Sequence, residues 1–250
     1  MNIIGHTYIA SKVIGRLNSD VAFGSHVNDL VPFVPNSTFS FQEIHESPEL
    51  FLEFLKVHYP ARKDLAWAMM THSVKFGADK FNRDIDTWLT SGNEQLIEEI
   101  ANKIVDCSSV SFKVAKEYRM HNYLWCGIDL YLLKKEPDFI KQLPELHKNL
   151  DKSGVAIMLA ECFGKDSNLV LNDINYLFDE IDFNNLLSIE GLAVLWKRFM
   201  AGLPEKDEID VEKTISTWNY IYNSFDNRWE DILENVVTQV KVQIDPFLTP

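Results

Sequence analysis

What most constrains this chain is an apolar residue every three or four positions, sustained through almost its whole length. Ile3, Ile4, Ile9, Val13, Ile14 and Leu17 fall on one helical face, because 3.6 residues per turn bring such positions to the same side. No segment alternates apolar and polar residues between turn signals, as a half-buried strand would. Glycine (10) and proline (9) are sparse among the 250 residues, which suits helices with short connections better than a sandwich of strands. The pattern predicts an all-α fold, a multi-helix bundle forming one domain over 1–250. With 46% of its residues hydrophobic, the chain can bury a sizeable core, and intrinsic disorder is excluded.

Ser47–Pro48 reads as a helix start, N-cap then Pro in the first turn, opening a helix that runs to about Val57 and ends before Pro60. A longer helical stretch extends from about Lys63 towards Leu89, with Gly77 as an interruption. Further helices are expected over 93–106, 109–135, 138–150, 154–163, 169–178, 186–200 and 211–244. Residues 18–41 form a long apolar loop rich in Asn, Asp, Ser and Pro, expected to fold over the bundle; ordered loops of this length are often functional. The acidic stretch 203–210 reads as a connection or a linker. Trp218, Tyr222, Phe225 and Trp229 follow helical spacing and read as core, with an oligomer interface as the other use of that aromatic face.

The net charge is −13, unevenly spread: residues 151–250 hold 8 basic and 18 acidic side chains, residues 1–150 hold 16 and 19. An acidic surface repels phosphate backbones and anionic headgroups, so nucleic-acid binding by bulk charge and stable membrane association are not expected. Cys107, Cys126 and Cys162 are odd in number and widely spaced, which argues for reduced thiols rather than a disulfide framework. There is no leader-like N-terminus and no run of 18 apolar residues, so a cytoplasmic protein is expected.

Six of the seven histidines lie in the first 121 residues. His6 sits in GHTYIASK at the start of the first amphipathic helix. Asp29, in GSHVNDLVPF, is an acid embedded in apolar sequence; if buried it must be paired, protonated or bound to a cation. His45 follows shortly before a helix start. His72 shares a stripe with Leu65, Met69 and Phe76, and His121 lies beside Tyr118, Trp125 and Ile128, so both point towards a core. A buried imidazole needs hydrogen-bond partners or a metal. His147 lies in a lysine-flanked polar helix, and any one of these histidines taken singly reads as a packed or surface residue rather than a ligand.

The order of these features (GHTYIA, a small-residue loop ending in an acid, a histidine before a helix, two histidine-bearing helices) resembles the zinc-dependent phospholipase C family, related to the P1/S1-type nucleases. The likeness covers mainly residues 1–135, leaving 136–250 as an acidic helical half. It implies an all-α fold with a zinc site hydrolysing phosphodiesters by metal-activated water. His6, Asp29, His45, His72 and His121 would be ligands, and Asp29 would also be the base orienting the attacking water. The family carries a carboxylate four residues after each of its last two histidines, on the same helical face. Phe76 and Trp125 stand there instead. Asp79 and Asp129 lie seven and eight residues beyond the histidines, roughly 10–12 Å along a continuous helix, too far to share an ion; both read as solvent-facing acids. A break at Gly77 would be needed to bring Asp79 closer.

Two functions follow. One is a metal-dependent phosphoesterase with a reduced ligand set, holding one or two zinc ions or another divalent transition metal. Its substrate would be a small phosphodiester or a phospholipid-like molecule. The other is a catalytically inactive helical binding protein of the same family, with a structural metal or an apolar ligand pocket lined by Phe76 and Trp125.

Overall fold

The computed structural model describes residues 3–201, 207–225 and 228–248, and every regular element among them is helical. In chain order these are α1 (Ile3–Ile14), α2 (Ser19–Gly24), α3 (Leu30–Phe33), α4 (Glu49–His58), α5 (Lys63–His72), α6 (Asn82–Thr90), α7 (Glu94–Ser108) and α8 (Phe112–Val114). They continue as α9 (Met120–Lys135), α10 (Pro137–Ile140), α11 (Leu143–Lys148), α12 (Lys152–Phe163), α13 (Ser167–Glu180), α14 (Ile189–Ala201), α15 (Val211–Ser224) and α16 (Arg228–Ile244). Several start where a short polar side chain accepts a hydrogen bond from the first turn: Asn18 for α2, Asn93 for α7, Asp151 for α12, Asp166 for α13 and Asp210 for α15. Such caps satisfy amides that no helical carbonyl reaches.

Four expectations change, one being the stretch 138–150, which is divided between α10 and α11. Residues 18–41 are not a loop throughout: they hold α2, a 3₁₀ turn at Val27–Asp29 and α3. The stretch from 63 to 89 is two helices, α5 and α6, separated by a tight reversal. The stretch 211–244 is likewise divided, between α15 and α16. Of the acidic stretch 203–210, positions 203–206 lie outside the described residues.

The chain forms two compact units, each assembled from separate stretches and neither following the division near residue 135. One comprises Met1–Gly5, Phe81–Lys141 and Phe183–Asn235. Its core is built on α9, with Tyr123, Trp218 and Trp229 fully buried. The Tyr123 hydroxyl lies 3.3 Å from Cys107 Sγ and accepts from Trp196 Nε1. Trp218 and Trp229 are therefore core, as their spacing predicts. Asp129 is not the solvent-facing acid expected. It is 3% exposed, its Oδ1 accepts from the Gly5 amide at 2.8 Å, and burial pushes its carboxyl up to about 8.

The second unit comprises His6–Lys80, Gln142–Asp182 and Val236–Pro250. Its centre is the packing of α2 on α5. Gly24 permits it, since a Cβ there would stand 2.8 Å from the Ala68 Cβ and overlap the Leu65 carbonyl. Two ion pairs flank this packing: Arg16 with Asp64, which also accepts from Asn18, and Arg62 with both carboxylate oxygens of Asp20. The Thr38 amide donates to Asp173 of α13 at 2.7 Å, pinning the segment that leads to His45. Among the described residues no helix is long and apolar enough to cross a membrane.

Candidate metal centre

The α2–α5 packing brings Ser25 to the end of α5, where the His72 Nδ1–H donates to the Ser25 carbonyl at 2.6 Å. That bond assigns a proton to Nδ1, so Nε2 is the nitrogen a metal would take once the ring gives up its second proton. His72 is the last residue of α5. Ser73 then turns the chain: its carbonyl accepts from the Gly77 amide at 2.8 Å and its hydroxyl from the Phe76 amide at 3.2 Å. Gly77 folds flat against residues 71 and 72, at a distance no side chain would allow. A 3₁₀ turn at Ala78–Phe81 follows, and it returns Asp79 to the histidine it has just left.

The result is a cluster of ring nitrogens about one carboxylate. Asp79 Oδ2 lies 3.3 Å from His72 Nε2 and 3.9 Å from His45 Nδ1, while Oδ1 lies 3.6 Å from His6 Nε2. The His6 and His72 rings stack in parallel with centroids 3.8 Å apart. Asp29 Oδ1 borders the group, 4.0 Å from His72 Nε2. His6, Asp29, His45 and His72 are all 6% exposed or less. His45 enters from a π-helical turn at Gln42–Glu46. Its Nε2–H donates to the Asn28 carbonyl, and Asn28 in turn donates to the carbonyl of Ile44. Its Nδ1 is buried without a hydrogen-bond partner, as is Oδ2 of Asp29.

Among the described residues one group brings three ligand-type atoms within 4.8 Å of one another: His6, His72 and Asp79. A four-coordinate ion with bonds of 2.0–2.1 Å holds adjacent donors about 3.3 Å apart, which the His72–Asp79 and His6–Asp79 separations of 3.3 and 3.6 Å approach. The electrostatics match. Burial opposes charge on His72, but Asp79 and Asp29 outweigh it and hold this imidazole up at about 9. Burial and the neighbouring His72 charge push His45 down to about 4, and His6 well below its ordinary value for the same reasons. Burial would raise Asp79, yet the His72 charge drives it far below the carboxylate range. One proton on His72 thus does the work of a cation between two carboxylates.

Of the five residues singled out from sequence, His6, Asp29, His45 and His72 meet here. His121 belongs to the other unit, half-buried in the first turn of α9, and is not one of the three clustered residues. Asp79 was the residue missed, because the ten-ångström argument assumes a helix that runs past His72, and the helix ends there. For the same reason Phe76 is not one turn along a shared face; its ring packs edge-on against Phe247, 5.3 Å away. Trp125 is a buried residue of the other unit. His147 is fully buried, with Nδ1–H donating to the Leu143 carbonyl at 2.7 Å. The sequence signal for Asp79 was Gly77, a lone glycine five residues past His72 in the expected helix.

No family model, no curated protein and no solved structure matches the chain.

Proposed function

We propose that this protein is a metal-dependent hydrolase whose centre is held by His6, His72 and Asp79, with His45 as the adjoining imidazole and Asp29 as the base. The observation that carries this reading is that His45 Nδ1 is buried without a hydrogen-bond partner 3.9 Å from Asp79, beside His6 and His72, whose Nε2 atoms face the same carboxylate. A buried polar atom left unmet costs about 1–3 kcal/mol, and a divalent cation that displaces the His72 proton meets three imidazole nitrogens and a carboxylate at once. Imidazole and carboxylate donors suit zinc or a similar divalent transition metal.

Such an ion lowers the pKa of bound water towards 7 and polarises a phosphoryl oxygen. The chain's own part is to hold the donors in place. The Ser25 carbonyl fixes His72, the Asn28 carbonyl fixes His45, and the reversal at Gly77 delivers Asp79. Asp29 Oδ1, beside His72 but outside the group of three, accepts the proton of the attacking water. Phosphoric esters are the substrate class, and the support is the resemblance in residues 1–135; a small phosphodiester suits the net charge of −13 better than an anionic polymer.

The test has two parts. Elemental analysis and zinc titration of the purified chain, with Asp79→Ala alongside, should give uptake by the wild type and loss in the variant. Hydrolysis of bis(p-nitrophenyl) phosphate by the loaded protein then distinguishes a hydrolase from a metal-holding binding protein. Absence of uptake defeats the centre; uptake without hydrolysis of any phosphoester defeats the activity.

A further inference from the structure

Behind Asp29 stands a further buried imidazole, outside the group of three ligand-type residues. His26 is 1% exposed, and its Nδ1 faces Asp29 Oδ2 at 3.6 Å, an ion-pair separation; neither atom has a hydrogen-bond partner. On its other side His26 Nε2 lies 3.1 Å from Thr7 Oγ1 and 3.4 Å from Ser25 Oγ, and the two hydroxyls are 3.0 Å apart. The His147 ring stacks over it with centroids 5.5 Å apart. The ring is therefore held at its edge by two hydroxyls and on its face by an imidazole that is itself anchored to Leu143.

The polarity of this chain follows from what each group can donate. A carboxylate only accepts, so the partner that serves Asp29 Oδ2 is a protonated His26 Nδ1. A neutral imidazole with its proton on Nδ1 accepts at Nε2, and the Thr7 hydroxyl is the donor within reach. Thr7 follows His6 directly in α1, and the backbone carbonyl of Ser25 is the group that orients His72. One hydroxyl pair thus links the segments carrying His6, His72 and Asp29.

We infer that His26 is a positioning residue for Asp29: its Nδ1–H holds Oδ2 and so turns Oδ1 towards the imidazole cluster. The facing of His26 and Asp29 stands by itself; the catalytic consequence rests on the reading of Asp29 as the base. Partners of this kind, one shell away from the reacting atoms, change activity by about 10–100-fold when removed.

Two measurements on the full chain test this separately. In the metal-free protein with ¹⁵N-labelled histidine, the His26 ring should carry its proton on Nδ1, and Asp29→Ala should move that proton to Nε2. A wild-type ring protonated on Nε2, or a tautomer indifferent to Asp29→Ala, overturns the inference. In the zinc-loaded protein, asparagine places an amide N–H where the imidazole has Nδ1–H, and glutamine places one where it has Nε2. His26→Asn should keep kcat near wild type, while His26→Gln and His26→Ala should lower it about 10–100-fold with zinc stoichiometry and KM unchanged. Equal damage from Asn and Gln, or zinc found on His26 itself, overturns it as well. Should the wild type take up no zinc or hydrolyse nothing, the hydrolase reading falls and the nitrogen spectra still decide the role of His26.

Discussion

Replacing Gly77 by alanine tests whether the chain reversal, rather than the histidines alone, makes the centre. A Cβ on residue 77 would stand 2.5 Å from the His72 carbonyl carbon and nearer still to the Thr71 carbonyl, where real Cβ atoms keep beyond 3.0 Å. These are backbone atoms and cannot rotate aside, so the reversal must open by at least the 0.5 Å difference. Asp79 is two residues on, and its separations from His72 and His6, now 3.3 and 3.6 Å, would grow to about 4 Å, past the about 3.3 Å at which donors share a four-coordinate ion. Overpacking of this kind costs about 1–3 kcal/mol of stability. Displaced donors should weaken zinc by at least about 10-fold, the lower range for loss of supporting contacts. Urea unfolding of the metal-free chain and zinc competition against a chromophoric chelator read the two effects. Gly15→Asn is the control, because Gly15 has φ +80° and no atom within 4 Å of a Cβ; asparagine tolerates that conformation. If Gly77→Ala binds zinc as tightly as wild type, the reversal does not position Asp79 and the geometry of the centre is wrong.

Asp79→Asn should keep the fold but lose most zinc affinity, since the amide removes the only carboxylate in the group of three; calorimetric titration checks this. Zinc uptake near pH 7.5 should release about one proton, because His72, held up at about 9, must lose its proton to ligate; the same titration in buffers of different ionisation enthalpy counts it. The metal-free chain should lose stability on alkaline titration. A folded-state His72 value of about 9 against an ordinary 6.5 means the His72 contribution is complete below pH 6.5 and disappears as pH rises through 9. Asp129 acts elsewhere with its own sign: a carboxyl raised from 3.8 to about 8 is best tolerated below 3.8 and destabilises increasingly up to 8, at about 1.4 kcal/mol per pH unit as an upper bound. Asp129→Asn should therefore flatten the stability profile between pH 5 and 8 in urea melts, with the gain at the upper end; an unchanged profile would show the acid is already ionised without cost.

What the linear order of residues determined is the class of fold and the identity of most of the donors. Helical periodicity is local, carried by neighbours three and four apart, so it survives in any single stretch such as 94–108 or 152–163. His6, Asp29, His45 and His72 were legible because each sits in apolar sequence that must bury it, and a buried imidazole or carboxylate has few fates. The helical continuation past His72 that placed Asp79 out of reach was an extrapolation of the same periodicity across a point where it stops. Helix ends depend on how the chain is received by its surroundings: Ser73 bonding back to Met70, Gly77 lying against residues 71 and 72, Ser25 arriving with α2 to meet His72. Those partners are 3 to 47 residues apart in sequence, and only packing brings them together. The same holds for His26 and His147, polar residues in undistinguished sequence that the tertiary fold encloses and so obliges to find partners.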